Sequence, residues 1–143
     1  VFAIGGRWSD RGNVATVEEY DADTNEWHER APMPTARGGL GSAATEDVIH
    51  VVGGESLGGD SRTFEEHELY LPLDSTGWRS GDRWSDAAEF PTSRHGLAVV
   101  AIGLRLYAIA GGETPGLSVS GTVEIYQPSE SRLDPSYFPT QKP

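Results

Sequence analysis

Three apolar runs in the chain end on paired glycines, in "VFAIGGRWSD", "VIHVVGGESLGG" and "RLYAIAGGETPG". Each run has strand length and stops at turn chemistry, and no segment keeps a helical period over a window of about 11 residues. The fullest copy carries four strand-like stretches: "GLAVVAI", "LYAIAGG", "TVEIYQ" and a weaker one near "SRLDPSYF". Segments such as "DADTNEW" and "ATEDV" between them supply the Asp, Asn and Thr that favour tight turns. The pattern predicts an all-β chain of short antiparallel strands.

The runs repeat in order. Aligned on the glycines, the doublets are Gly5-Gly6, Gly53-Gly54 and Gly111-Gly112, so the second period is longer than the first. The step from Gly6 to Tyr20 equals the step from Gly112 to Tyr126. Matching "TFEEHE" to "TVEEYD" puts His67 where the other copies have Tyr. Trp27 and Trp84 come next, and an insertion of ten residues around "LPLDSTGWRS", which includes Trp78, absorbs the longer second period. Arg37 follows Trp27 by the same step as Arg94 follows Trp84, in "MPTARGG" and "FPTSRHG". A unit of roughly 50 residues that cannot bury its own apolar face must stack on its neighbours.

The doublet glycines, the Tyr and Trp of "YDADTNEW" and the "PMPTAR" after them resemble the kelch repeat, over nearly the whole chain. The third copy departs from it by placing Leu133 at the Trp position. The resemblance implies kelch-type β-propeller blades, each a four-stranded antiparallel sheet around a central channel. Three blades are expected, at residues 1–37, 38–94 (with the insertion) and 95–143, the first lacking its first strand. Such an incomplete ring would expose apolar faces and edges. The remaining blades are therefore expected from a longer parent chain, with a second copy completing the ring as the alternative. Within a blade the doublet falls near the crowded channel, where only glycine allows both close approach and a positive-φ exit from the strand.

Composition narrows the partners. The net charge is −11, and ten of the eleven basic residues are Arg, with no basic run. A nucleic-acid partner or an anionic membrane surface is not expected. The absence of Cys removes disulfides and thiolate metal sites from this chain. It also removes the Cys–Tyr cofactor that some kelch-like propellers use in copper oxidation, and no cofactor or metal site is expected.

Several local motifs have simpler readings than the chemistry they mimic. "GESLG" fits a nucleophile-elbow pattern, but Ser56 leaves a strand into a Gly-rich loop rather than opening a helix. "DADTNE" begins like a calcium loop, yet Glu26 and Pro32 occupy the positions that need Gly and Glu, so a hairpin turn is expected. In "EEHE", Glu65 and His67 would share a strand face, and a packed structural His67 is favoured over a two-ligand metal site.

The loops after the doublets differ while the strands repeat, as binding loops on a rigid scaffold do. Propeller geometry gathers "RWSDRGN", "ESLGGDSR" and "ETPGLSVS" on one face, at the channel mouth, together with the connections carrying Arg37 and Arg94. Arg7, Trp8 and Arg11 have the composition of an interface hot spot, and Arg62 lies in the second loop. Recurrence gives Arg37 and Arg94 a structural reading, as donors to neighbouring carbonyls, while the resemblance adds them to the ligand-binding set. The expected function is a non-enzymatic module that holds a protein or peptide, with an acidic segment suiting the arginines. A sugar-directed enzyme on the same scaffold and a purely structural repeat are the alternatives.

Overall fold

A computed structural model describes residues 1–72 and 81–128, and every regular element among them is a β-strand. In chain order these are β1 (Phe2–Ile4), β2 (Arg7–Trp8), β3 (Gly12–Asn13), β4 (Val17–Asp21), β5 (Glu26–Glu29), β6 (Gly41–Thr45) and β7 (Val48–Val52). They continue with β8 (Glu55–Ser56), β9 (Arg62–Thr63), β10 (His67–Leu71), β11 (Arg83–Asp86), β12 (Ala98–Ile102), β13 (Arg105–Ile109) and β14 (Val123–Tyr126). Three antiparallel sheets result: β1-β4-β5, β6-β7-β10-β11 and β12-β13-β14, each a simple meander. The connection between the second and third strands of the first two blades grows into a small ribbon, β2–β3 and β8–β9. This is the open set of blades anticipated from the repeats, and the sheets form no closed barrel among the described residues. The weak strand near "SRLDPSYF", Leu133 and Trp78 lie outside the described residues.

Two landmarks sit in a different register from the one the sequence suggests. Gly5 and Gly53 donate from their amides to the carbonyls of Thr16 and Glu66, and in the third blade the same bond runs from Ala110 to Thr122. Their φ angles agree, at 61°, 62° and 58°. The third doublet is thus Ala110-Gly111, one residue earlier than Gly111-Gly112. The repeat Tyr of the second blade is Tyr70, because Tyr70 pairs with Trp84 as Tyr20 pairs with Trp27. Both pairs also stack, with ring centroids 5.0 and 5.2 Å apart. His67 instead takes the slot of Val17 and Val123. With the third doublet moved back by one, the excess of the second period is nine residues rather than ten, and it splits: two lengthen the β8–β9 loop and seven fall between Tyr70 and Trp84.

Burial follows the blade spacing. Between the first and second sheets, Val17, Met33, Val51 and Tyr70 are buried, with Phe2, Ile4, Leu40, Ile49 and Trp84 against them. Between the second and third, Val52, Phe90, Leu97, Leu106 and Ala108 are buried, with Ala43, Val99, Ala101 and Tyr126 around them. Strand alternation explains the division, since residues two apart point to the same side of a sheet. On the far side of the third sheet the same alternation leaves Val100, Ile102, Val123 and Ile125 exposed. Their register counterparts in the second sheet, Ala43, Thr45, His67 and Leu69, lie on the face covered by the third sheet.

Candidate functional site: the loop face

The two recurring arginines join the blades. Arg37 lies between β5 and β6, and its carbonyl accepts the Gly6 amide of the first blade at 3.0 Å. Its side chain reaches into the second blade, where Nε donates to Gly53 O at 2.7 Å and Nη2 to Val51 O at 3.3 Å. Nη1 donates to Thr35 O and to the Glu68 carboxylate. Arg94 repeats the device one blade on. Its carbonyl accepts the Gly54 amide at 2.7 Å, and its guanidinium donates to Ala110 O, Thr122 O and Glu124 Oε2 at 3.0, 2.8 and 2.6 Å. Both side chains are almost wholly buried. A guanidinium enclosed by carbonyls and one carboxylate has no face left for a ligand. Arg37 and Arg94 are thus removed from the expected ligand-binding set, and their structural reading is the one the geometry carries.

The other named residues do gather at one face. Thr63 Oγ1 of β9 donates to Glu113 O at 2.9 Å and shares a hydrogen bond with Ser93 Oγ at 2.9 Å. These contacts bring the second-to-third loops of two blades together with the crossover that carries Arg94. Glu55, the first residue after its doublet, ties all three blades. Its Oε1 accepts from Arg7 Nη2 at 3.0 Å and lies 3.6 Å from His95 Nδ1. Its Oε2 accepts from the Gly116 amide at 2.8 Å, while its carbonyl accepts from Asn13 Nδ2 at 3.0 Å. Burial opposes ionisation of this carboxyl, but the Gly116 N–H, the Arg7 guanidinium and His95 together hold it below the ordinary carboxylate range. Sequence reasoning missed Glu55 because the loops do not repeat. A charged residue directly after a glycine doublet was the available signal, since the doublet pins it at the crowded mouth.

Around this buried hub the loop tips are open. Trp8 is 61% exposed on its ribbon. Leu57 on the second loop, and Leu117 and Val119 on the third, are exposed as well. Arg11 is exposed beside Asp10, at 3.9 Å. Arg62 is exposed too, bonded to Glu66 at 3.2 Å and lying 4.3 Å over the Phe64 ring. Of the six expected ligand-binding residues, the face therefore presents Trp8, Arg11 and Arg62, and half-presents Arg7. Ser56 sits within a ribbon strand opposite Arg62, which is not the strand-to-helix turn of a nucleophile elbow. Asp21 to Glu26 form a hairpin turn in which Asp21 Oδ1 accepts from the Asp23 amide at 2.8 Å. Among the described residues no group of three or more His, Asp or Glu side chains is placed to hold a metal ion.

Comparison with known proteins agrees with this architecture. A family model described as the Kelch motif matches residues 1–34. The chain belongs to the kelch-repeat family. It is 33% identical over 138 residues to Kelch-like protein 25 of Xenopus tropicalis, covering 92% of this chain and 22% of that protein. It is 31% identical to Kelch-like protein terF of Aspergillus terreus, covering 90% of this chain and 27% of that one. With Kelch-like protein 40 of Mus musculus the identity is 32%, over 80% of this chain and 17% of that protein. The kelch chain thus spans about a quarter or less of the length of these relatives.

Proposed function

We propose that this kelch segment is a non-enzymatic binding module that captures a protein or peptide through its loop face. The observation that supports it most is the division of labour at the mouth. Glu55 fixes three loops to one another, while Trp8, Leu57, Leu117, Arg11 and Arg62 stay exposed on top. A rigid frame with apolar tips and flanking cations lowers the ordering cost of binding, and exposed Trp and Arg are the residue types that dominate such contacts. Arg7 is held by Glu55, so the acidic part of a partner segment would meet Arg11 and Arg62, with an apolar side chain against Trp8. Selection of a displayed peptide library on the chain tests this. Trp8→Ala and Arg62→Ala should each weaken the selected peptides at least tenfold at unchanged unfolding midpoint. Unaltered affinity in both variants would remove the loop face from the contact, and a lowered midpoint in Trp8→Ala would make Trp8 a packing residue.

We also infer that the exposed face of the third sheet is covered in the working protein by a further blade of a longer parent chain. Support comes from Val100, Ile102, Val123 and Ile125, whose counterparts one blade back are covered by a sheet. A second copy of the chain is the competing occupant. Light scattering that returned a stable dimer of the chain would favour the copy over the parent's next blade.

A further inference from the structure

Two histidines lie inside the seam between the second and third sheets. His50 on β7 and His67 on β10 are 5% and 2% exposed, and His50 Nδ1 is 2.8 Å from His67 Nε2. His67 Nδ1 is 3.0 Å from Ala88 O, an atom that can only accept, so His67 Nδ1 carries a proton and, in the neutral ring, Nε2 is its acceptor. His50 must then donate from Nδ1, which leaves its Nε2 to accept the Thr45 hydroxyl at 2.8 Å. The chain Thr45–His50–His67–Ala88 is closed, with both rings neutral. Phe90 and Tyr126 enclose it, with the Tyr126 ring edge-on to His67 at 4.7 Å between centroids.

The repeat shows that packing alone does not call for histidine here. The register equates His50 and His67 with Phe2 and Val17 in the first blade and with Tyr107 and Val123 in the third. An apolar pair fills the equivalent slots where the first two blades meet. A proton added to His67 Nε2 would set one N–H against another unless His50 moved its own proton to Nε2, which turns the Thr45 hydroxyl to accept and still leaves a charge buried among aromatic rings. A proton on His50 Nε2 would need the Thr45 hydroxyl to turn and would bury a charge among aromatic rings. Burial, then the neighbouring His67, hold the His50 ring down to about 4.

We propose that the His50–His67 pair makes the seam between the second and third blades an acid-sensitive joint, closed while both rings are neutral and loosened as the opened form takes up protons. Of the charged groups on the surrounding strands, Glu68 on β10 is engaged with Arg37 and Glu124 on β14 with Arg94, and Arg83 and Asp86 on β11 are exposed. Arg105 on β13 bonds Gln127, Glu89 in the following crossover is exposed, and β6 and β7 carry no charged residue besides His50 itself. Glu46 and Asp47 form the exposed turn that joins β6 to β7. His95 faces Glu55 across the same seam at the mouth and opposes opening when protonated. Loosening this joint would part Glu55 from Gly116 and break the three-loop frame, so partner capture would respond to acid.

Hydrogen exchange in the full chain tests the joint at the Gly54, Gly96 and Gly116 amides, whose bonds to Arg94 O, Gly39 O and Glu55 Oε2 cross the seam. After correction for intrinsic rates, their opening constant should rise about 70-fold from pH 7 to 5.5 if the opened seam takes two protons at ordinary histidine affinity, and about 8-fold if it takes one. In His50→Phe/His67→Val, which copies the first blade's pair, the rise should fall below about twofold. A rise under about twofold in the unmodified chain, or an equal rise in the variant, overturns the proposal. Should the variant not fold, ring nitrogen shifts of the unmodified chain decide the matter. Both Nε2 atoms should stay unprotonated to below pH 5.5, and titration of either ring near 6.5 without seam opening would sink the joint.

Discussion

The two seams between blades share one plan and differ in what fills it. In both, an arginine from the crossover gives its carbonyl to one blade and its guanidinium to the next, and a strand tyrosine lies in the interface. In the first seam Tyr70 meets the edge of Phe2 at 5.6 Å and donates its hydroxyl to Asp82 at 2.7 Å. Asp82 also accepts the Ala31 amide at 2.6 Å, and Trp84 Nε1 donates to Ala31 O. Burial opposes its ionisation, but the Ala31 N–H and the Tyr70 hydroxyl keep the Asp82 carboxyl below its ordinary value. Burial and this bond push the Tyr70 phenol up. The second seam replaces the Phe–Val pair by two histidines and leaves its clamp partly open to solvent. Glu124 keeps 15% of its side chain exposed against 3% for Glu68, and Arg94 Nε has no hydrogen-bond partner among the described residues. The first seam is closed by an apolar pair, the second by the pair proposed to respond to acid.

Removing each clamp breaks the comparison most directly. Arg37→Ala strands the buried Glu68 carboxylate and should cost about 3–5 kcal/mol in urea unfolding. Arg94→Ala should cost less, because Glu124 reaches solvent and keeps the Thr92 hydroxyl at 2.7 Å. Equal losses would mean that the two clamps do the same work.

Acid sharpens the contrast at slightly smaller scale. A native His50 held near 4 refuses a proton that the unfolded chain takes near 6.5. Stability from the neutral pair is therefore complete above pH 6.5 and is lost as pH falls towards 4, by about 3 kcal/mol in all. Glu55 and Asp82, with lowered carboxyls, lose their contribution only at more acid pH. Unfolding free energies at pH 7 and 4.5 should converge in His50→Phe/His67→Val and diverge in the unmodified chain. Parallel behaviour of the two proteins would leave the histidines without the sensitivity assigned to them.

Much of this was legible from spacing, and the failures have physical causes. The doublets, the Tyr–Trp pairs and the paired arginines identify blades because each fills a slot that stacking imposes on every copy. Register is hidden where letters and hydrogen bonds part company. Ala110 hides the third doublet, and the chance equality of the Gly6-to-Tyr20 and Gly112-to-Tyr126 steps disguised the slip. Letter matching sets His67 on a tyrosine because Thr63 and Phe64 mimic "TV", whereas Thr63 belongs to the ribbon. His67 is nonetheless a packed residue. His50 was not singled out, since nothing along one strand reveals that a residue 17 positions on will meet its ring. Glu55 was equally hidden, its partners being supplied by three loops with no common pattern.

The smallest expected effect concerns the slip at Ala110 itself. A Cβ at Gly53 would overlap Arg94 O, and one at Gly5 would lie 2.9 Å from Arg37 O. Both carbonyls belong to the crossover of the next blade, so glycine is required by the neighbour as much as by the positive φ. At Ala110 the same backbone conformation holds, at 58°, but no crossover packs on it among the described residues. Gly53→Ala should therefore cost at least about 2 kcal/mol, from left-handed strain plus displacement of the bond between the Gly54 amide and Arg94 O. Ala110→Gly relieves only the strain and should shift stability by less than about 1 kcal/mol, towards the folded state. Thermal unfolding of the two variants beside the unmodified chain measures both. A harmless Gly53→Ala would show that the crossover yields to a methyl group, and the doublet would then be a matter of φ alone.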